Sequence, residues 1–207
     1  MRFSTTRPLQ LFFPWIRWKG PPNSLYLTFD DGPHPEATPR VLDVLSTYNI
    51  KATFFLLGDH VARYPHLARM IASEGHTVAN HSYDHRVMIF RNGKFLQDQI
   101  VRTREAILTA TGISTRHFRP PFGYAGPAVF RMARRLHHEV VLWDIDSGDF
   151  LRRNPADIAE RSARQVQPGS ILLFHDNDRT RDVISPILKA FLVKLDRARF
   201  SFAALPS

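Results

Sequence analysis

The sequence predicts a single-domain α/β protein with a parallel sheet, arranged as a small, incomplete (β/α) barrel. Short apolar segments alternate with segments of helical periodicity along the 207 residues, and this alternation is typical of parallel strands joined by crossover helices. The short segments are apolar throughout their interiors, as expected of strands whose two faces are both covered. Six or seven such units fit the chain, which is fewer than the eight of a complete barrel.

The first strand is predicted in the stretch that begins at Leu25 and runs up to Asp30 and Asp31. Its residues have high β-propensity, and Gly32 and Pro33 end it directly after the two carboxylates. The strand at Val140–Trp143 is expected to run straight into Asp144–Asp146. The remaining strands are predicted at Ala52–Leu57, Thr77–Asn80, His117–Arg119, Ser170–Phe174 and Phe200–Ala204.

Helices are predicted between these strands, where apolar residues recur every three or four positions. In the first helix, Val41, Leu42 and Leu45 form the apolar face. Several helices have a proline in their first turn, where it is favourable, and Gly112 ends the longest one. The predicted helices are Thr38–Tyr48, Pro65–Gly75, a longer one that follows Gly93 and runs to about Thr111, Pro127–Leu136, Pro155–Val166 and Val183–Leu195.

The composition restricts both metal ligands and partners. The chain contains no cysteine, so any metal must be held by histidine and carboxylate side chains. The formal net charge is +9, which fits an anionic partner such as nucleic acid, a phospholipid surface or an acidic glycan. A basic but otherwise ordinary enzyme surface explains the same charge equally well.

The first 23 residues are predicted to form an arm that packs on or near the barrel, ahead of a domain of residues 24–207. The tryptophans, phenylalanines and arginines of this arm suit a lipid interface, but covering a barrel end is the preferred interpretation. Its apolar run is too short and broken to span a bilayer, and we recognise no signal-peptide cleavage site. We therefore expect a cytoplasmic or membrane-peripheral protein, and a monomer is favoured.

Polar side chains that can take part in catalysis or bind a metal follow the predicted strands at their carboxyl ends. This is the face where barrel enzymes place their active sites. Two adjacent carboxylates need a cationic partner, because burying an unpaired charge costs several kcal/mol, roughly. Neighbouring strand residues point to opposite faces, so Gly32 is expected to let the backbone turn both carboxylates to one site. The candidate residues are Asp30, Asp31, His81, His85, Arg119, Asp146 and His175.

Two histidines four residues apart, His81 and His85, can face a single ion. Exposed histidines with no ligand are the alternative for such a pair. With one carboxylate they form a catalytic type of metal site that leaves coordination positions open for water and substrate. Asp31 is the preferred carboxylate ligand, which leaves Asp30 free to act as a base.

Arg119 and His175 each allow a structural and a functional interpretation. Arg119 either lies exposed on a proline-rich turn or pairs with Asp30 and orients it. The backbone N–H of Phe122, in the same segment, could stabilise an oxyanion. His175 is either a buried structural residue or a general acid that is tuned by Asp144 or Asp146.

Five short segments, in this order, resemble the motifs of polysaccharide deacetylases, which are the carbohydrate esterase family 4 or NodB-homology domains. The resemblance extends over about Ser24 to Ser201, nearly all of the chain outside the arm. The segments are Thr28–Pro33, His81–His85, Arg119–Gly123, Asp146–Asp149 and Leu173–His175.

The resemblance implies a distorted (β/α)7 barrel and a divalent metal, usually zinc, with cobalt, nickel or manganese as alternatives. It implies that Asp30 is the catalytic base and His175 the catalytic acid. Phe150 stands where the family usually has a tryptophan, which leaves the sugar-contacting wall undefined. The other implied roles are metal binding by Asp31, His81 and His85, orientation of Asp30 by Arg119, tuning of His175 by Asp146, and lining of the acetyl pocket by Leu173.

The activity implied by the resemblance is metal-dependent removal of N-acetyl groups from a glycan that contains N-acetylhexosamine, with release of acetate. One alternative is a deacetylase or deformylase of a lipid-linked amino sugar at a membrane surface. An alternative of another class is a non-catalytic glycan-binding module. No specific nucleic-acid partner is expected.

Overall fold

A computed structural model describes residues 15–151, 154–195 and 200–206. The strands of this part are β1 (Ser24–Asp30), β2 (Thr53–Leu56), β3 (Thr77–Asn80), β4 (His117–Phe118), β5 (Glu139–Val140), β6 (Ile145–Asp146), β7 (Ile171–His175) and β8 (Ser201–Phe202). Its α-helices are α1 (Ala37–Thr47), α2 (Gly58–Arg63), α3 (Pro65–Ser73), α4 (Gly93–Thr111), α5 (Pro127–Arg135), α6 (Pro155–Ala163) and α7 (Ile184–Lys194). No helix among the described residues is long and apolar enough to cross a membrane.

The strands form a parallel sheet in the order β5-β4-β3-β2-β1-β7-β6, and β8 pairs with the start of β1. This is the distorted (β/α) barrel that the sequence predicts, so the predicted fold class is confirmed. β5 and β6 lie at the two ends of the strand order. The barrel is therefore open between two strands that are close in sequence.

Side chains alternate between two apolar clusters on the two faces of the sheet. The first cluster contains Leu27, Phe29 and Phe54, and the second contains Tyr26, Phe55 and Leu173. On β2, Phe54 belongs to the first cluster and Phe55 to the second, as the period of two in a strand requires. On β1, Tyr26 lies in the second cluster, and Asp30 has the same parity. The alternation thus directs the Asp30 carboxylate to the face that carries the second cluster.

One predicted element is wrong: the chain from Val140 to Asp146 is two short strands with different partners. β5 pairs with β4, whereas β6 pairs with β7. Between them the backbone N–H of Leu142 donates to the carbonyl of Arg17 at 2.9 Å. The Asp144 carboxylate then accepts hydrogen bonds from the Ser170 hydroxyl at 2.8 Å and the Ile171 N–H at 2.6 Å. These contacts carry the chain across the opening of the barrel.

A second difference is α2, a helix of six residues that the apolar pattern did not predict. It begins at Gly58, directly after β2. A Cβ on Gly58 would lie 2.5 Å from the Tyr83 ring and 2.7 Å from the Thr103 hydroxyl. Glycine is therefore needed for close packing at this position.

Residues 15–20 run beside the opening, from β5 to the residues that precede β7. The Arg17 N–H donates to the Val140 carbonyl at 2.9 Å, and the Gly20 N–H donates to the Gly169 carbonyl at 2.8 Å. Ile16 is buried in the second apolar cluster. The part of the predicted arm before Trp15 lies outside the described residues.

Ile16→Ala should lower the free energy of unfolding by about 2 to 5 kcal/mol, because it leaves a cavity in the second cluster. Urea denaturation followed by circular dichroism measures this loss. Leu108→Ala, at an exposed position of α4, is the matched control and should change stability by less than about 0.5 kcal/mol. Equal effects of the two substitutions would show that residues 15–20 do not belong to the core.

Candidate metal centre and active site

The two carboxylates at the end of β1 reach one site because Asp31 itself has a left-handed backbone, with φ of 78°. The sequence assigned this freedom to Gly32, which has no such φ, so that prediction is wrong. Gly32 is instead required for space, since a Cβ there would lie 2.3 Å from an Asp176 carboxylate oxygen. Left-handed φ angles recur around the site, at Ser82, His85 and Phe122. Such strained backbone persists where the surrounding structure holds it, often at functional sites.

Asp31, His81 and His85 converge at the carboxyl ends of β1 and β3. Each offers one ligand atom, and these three atoms lie within 4.8 Å of one another. The Asp31 Oδ1 atom is 3.4 Å from His81 Nε2 and 3.2 Å from His85 Nε2. The three predicted metal ligands are therefore brought together.

Hydrogen bonding and burial prepare the two imidazoles to bind an ion. His81 Nδ1 donates a hydrogen bond to the Arg119 carbonyl at 2.7 Å, because a carbonyl oxygen can only accept. This contact fixes the tautomer and the ring orientation, as partners of metal-binding histidines commonly do. Burial, helped by the neighbouring His81, lowers the pKa of His85 to about 4. Its imidazole is thus neutral at pH 7 and its lone pair is available.

The arrangement fits a divalent cation. Asp31 Oδ1 is buried and accepts no hydrogen bond, which is costly for a carboxylate oxygen in the absence of a cation. Burial opposes its ionisation, but the imidazole of His81 and the charge of His175 hold the pKa of Asp31 well below its usual value. Two imidazoles and one carboxylate suit Zn²⁺ with open positions, and other divalent transition metals can use the same ligands.

Arg119 lies fully buried between β4 and the opening of the barrel. Its Nη1 atom donates to Asp30 Oδ1 at 2.6 Å and to the Thr28 hydroxyl at 2.9 Å. Its remaining nitrogens donate to the carbonyls of Val141 and Leu142 at 3.2 and 3.1 Å. Oδ1 of Asp30 is thereby held, while Oδ2 lies 3.7 Å from His81 Nε2, next to the ligand cluster.

His175 ends β7 and pairs in register with Asp30 of the neighbouring strand. Its Nδ1 donates to Asp149 Oδ1 at 2.9 Å, and its backbone N–H donates to Asp149 Oδ2 at 2.6 Å. Burial alone would lower the pKa of His175, but the charge and hydrogen bond of Asp149, aided by Asp31 and Asp30, raise it to about 10. The side chain is therefore held protonated, with Nε2 left to donate.

Asp149, and not the predicted Asp146, makes the hydrogen bond to the His175 imidazole and is its main electrostatic partner. The Asp146 carboxylate accepts from the backbone N–H of Gly148 at 2.8 Å instead. Gly148 has φ of 66°, and this turn brings Asp149 back against β7. The sequence shows two candidate aspartates in the Asp146–Asp149 segment and does not distinguish them. The turn between them decides which one reaches the imidazole.

Apolar residues border the ligands. Phe122 lies in a 3₁₀ turn (Pro121–Gly123), is half exposed, and its ring centroid is 4.5 Å from that of His85. Phe150 is partly exposed, with its ring edge-to-face with His175 at 5.4 Å. Leu173 is buried on β7, in register with Thr28 and Asp146. Partly exposed aromatic rings thus flank a candidate metal ligand and the protonated histidine.

Two residues that the sequence did not single out hold Asp31 in place. The Asn177 amide donates from Nδ2 to Asp31 Oδ2 at 2.7 Å, and its Oδ1 accepts from the Arg179 N–H at 2.8 Å. His60 Nδ1 donates to the Asp31 carbonyl at 2.8 Å. The sequence feature that could have identified Asn177 is its position just after β7, two residues beyond His175. Its amide leaves Oδ1 of Asp31 as the oxygen that faces the histidines.

A His₂–carboxylate cluster with open positions, at the carboxyl ends of barrel strands, is typical of metal-dependent hydrolases. Residues 18–141 match the sequence profile of the family described as polysaccharide deacetylase. This match spans more than half of the chain, and the protein belongs to that family.

Similar proteins include a peptidoglycan-N-acetylglucosamine deacetylase from Bacillus cereus, 34% identical over 79% of this chain. This chain spans only 62% of that relative's length. A chitooligosaccharide deacetylase from Rhizobium leguminosarum bv. trifolii is 34% identical over 88% of this chain and 90% of its own. A crystal structure of a peptidoglycan N-acetylglucosamine deacetylase has a TM-score of 0.89, with 30% identity, and covers 100% of this chain and 95% of the solved one.

Asn177→Ala should weaken the binding of Zn²⁺ about 10- to 100-fold, because Asp31 loses the donor that orients it. Competition with a chromophoric chelator measures this affinity without any substrate. Arg179→Ala is the matched control, since only the backbone N–H of Arg179 contacts Asn177. Unchanged zinc affinity in the Asn177 variant would remove its role in positioning the ligand.

Proposed function

We propose that the protein is a metal-dependent N-deacetylase that removes the acetyl group from N-acetylglucosamine units of a glycan. Family membership and the names of the similar proteins support carbohydrate deacetylation. The observation that carries the proposal is the convergence of three ligand atoms between an Arg119-bound carboxylate and an Asp149-bound histidine. The products would be acetate and a free amino sugar.

Asp31, His81 and His85 would hold the divalent ion, with zinc as the best match to the ligands and cobalt, nickel or manganese as alternatives. When bound, such an ion supplies Lewis acidity, which polarises the acyl carbonyl and lowers the pKa of water. Asn177 keeps Asp31 turned towards the histidines. The Arg119 carbonyl keeps His81 in the orientation that presents Nε2.

Asp30 is the proposed general base. Its Oδ2 atom would accept the proton of the water that attacks the acetyl carbonyl carbon. The guanidinium of Arg119 holds the other oxygen at 2.6 Å, so the carboxylate cannot rotate away from the site. The backbone N–H of Phe122, in the turn beside His85, is the proposed donor to the developing oxyanion.

His175 is the proposed general acid. Cleavage of the C–N bond requires a proton on the departing nitrogen, because an unprotonated amide nitrogen is a poor leaving group. Asp149 holds Nδ1, so Nε2 is the atom that would transfer the proton. A raised pKa keeps this proton in place at neutral pH.

The rim of the site suits a short acyl group on a sugar. Leu173 is a candidate for contact with the acetyl methyl group, because it is apolar and lies beside Thr28 and Asp146. The exposed faces of Phe122 and Phe150 could pack against sugar rings, which present apolar C–H faces. A lipid-linked amino sugar as substrate is the second candidate, and the basic surface of the chain favours it.

Asp30→Asn should lower turnover by about a hundredfold or more, because the general base is lost, while zinc binding persists. The measurement is acetate release from acetylated chitooligosaccharides and peptidoglycan fragments, in zinc and in chelator, together with the metal content of each variant. Asp43→Asn, on the exposed side of α1, is the control and should keep wild-type activity. More than a tenth of wild-type turnover in Asp30→Asn would contradict the assigned base.

Asp149→Asn should move the alkaline limb of the kcat/KM profile to lower pH by about 1 to 2 units. A general acid is lost as pH rises through its pKa, and the Asp149 charge raises the pKa of His175. Asp146→Asn is the matched control and should leave the alkaline limb nearly unchanged. A large shift with Asp146→Asn and none with Asp149→Asn would support the original sequence-based assignment instead.

A further inference from the structure

An extensive cationic surface lies outside the site, on α4, α5 and the loop of residues 86–92. We call it the basic face and define it as Arg86, Arg91, Lys94, Arg102, Arg131, Arg134 and Arg135. The guanidinium carbons of Arg86 and Arg91 lie 5.0 and 5.2 Å from the centre of the Phe95 ring. These contacts tie the loop to the first turn of α4.

Two grooves join α4 to α5 and connect four cations of the basic face, which are Lys94, Arg102, Arg131 and Arg135. One, of about 790 Å³, is lined by Lys94 and Arg102 of α4 and by Arg135 of α5. The other, of about 400 Å³, is lined by Gly93, Arg131 and Arg135. Cations from both helices therefore face the same region of solvent, and the Phe95 ring that contacts Arg86 and Arg91 lines the larger groove.

Most of these charges have no acidic partner. Arg86 pairs with Asp84 at 2.7 Å, and Arg102 pairs with Asp98 at 3.4 Å. Within the described ranges of the chain, no carboxylate lies within 4.0 Å of the other cations of the basic face, which are Arg91, Lys94, Arg131, Arg134 and Arg135. Such a concentration of uncompensated positive charge attracts an anionic surface.

Phe90 stands at the tip of the loop with 99% of its side chain exposed and a left-handed φ of 60°. Val87 of the same loop is also exposed. The Phe90 ring is exposed to water, and its backbone conformation is unfavourable for a bulky side chain. Packing against the rest of the described structure does not offset these costs. An apolar tip surrounded by arginines is the arrangement that a lipid interface accommodates, with the ring among the acyl chains and the cations at the phosphates.

We propose that the basic face binds a bilayer that contains anionic phospholipids, with Phe90 inserted at the interface. The loop follows directly on the metal-ligand candidate His85, and a Cβ on Gly126 would lie 3.8 Å from Ile89 of the loop. The loop thus borders the segment that carries Phe122, at the mouth of the site. Docking in this way holds the mouth next to the membrane surface, where a substrate attached to lipid or emerging from the membrane is within reach.

This proposal concerns binding alone and does not depend on the proposed deacetylation. Its test is co-sedimentation of the full chain with vesicles of phosphatidylcholine alone or mixed equally with phosphatidylglycerol. The protein should sediment with the mixed vesicles, bind the neutral ones weakly, and be released by high salt, because the attraction is electrostatic. Absence of binding to the mixed vesicles overturns the proposal.

The variant pair Arg131→Glu and Arg135→Glu should lower the affinity for mixed vesicles at least about tenfold. The double variant Arg69→Glu and Lys189→Glu makes the same change of charge on α3 and α7 and should change the affinity less than about twofold. Equal losses in the two double variants would reduce the effect to net charge and contradict a defined docking face. Unchanged melting temperatures confirm that each variant is folded.

Phe90→Ser should weaken vesicle binding several-fold at every salt concentration, because its contribution is apolar. Val193→Ser, which removes another exposed apolar side chain from α7, should have no effect. A soluble polyphosphate that binds more tightly than the vesicles, with Phe90→Ser bound as well as wild type, would assign the basic face to an anionic polymer instead and refute the membrane proposal.

Discussion

The buried guanidinium of Arg119 is the interaction on which the rest of the site depends. It bonds the Asp30 carboxylate, the Thr28 hydroxyl and two carbonyls of the chain that crosses the barrel opening. The guanidinium carbon lies 3.9 Å from the centre of the Phe55 ring. A fully buried charge is tolerated only when its donors are satisfied in this way. The same residue also accepts, through its carbonyl, the hydrogen bond that orients His81, so the proposed base and a candidate metal ligand share one support.

The backbone and the buried carboxylate around the candidate metal site lower the stability of the fold. Non-glycine residues at Asp31, His85 and Phe122 have left-handed backbones, each of which costs on the order of 1 kcal/mol or more. The Asp31 Oδ1 atom is buried without a hydrogen-bond donor. A cation at this point would relieve the second of these costs, and bound metal would therefore stabilise the folded chain.

Much of the fold and the candidate ligand cluster can be predicted from the sequence, because the features that indicate them are local. These features are polar residues at strand ends, prolines in the first turn of helices and glycines after the last turn. α4 ends at Thr111, as predicted, and begins at Gly93, the residue that was expected to precede it. The sequence could not separate β5 from β6, since that change of partner depends on contacts with Arg17, Ser170 and Ile171, which are distant in the chain. It likewise could not rank Asp149 above Asp146, because the choice depends on the turn at Gly148, nor find Asn177, whose contact with Asp31 is purely tertiary.

The central claim is that Asp31, His81 and His85 bind one ion. X-ray absorption spectroscopy of the zinc-loaded protein tests it most directly. The claim predicts two imidazole nitrogens at about 2.0–2.1 Å and at least one oxygen at about 2.0–2.2 Å, with one imidazole lost in His81→Ala. Zinc surrounded only by oxygen, or an unchanged imidazole count in that variant, would place the metal elsewhere and contradict the account.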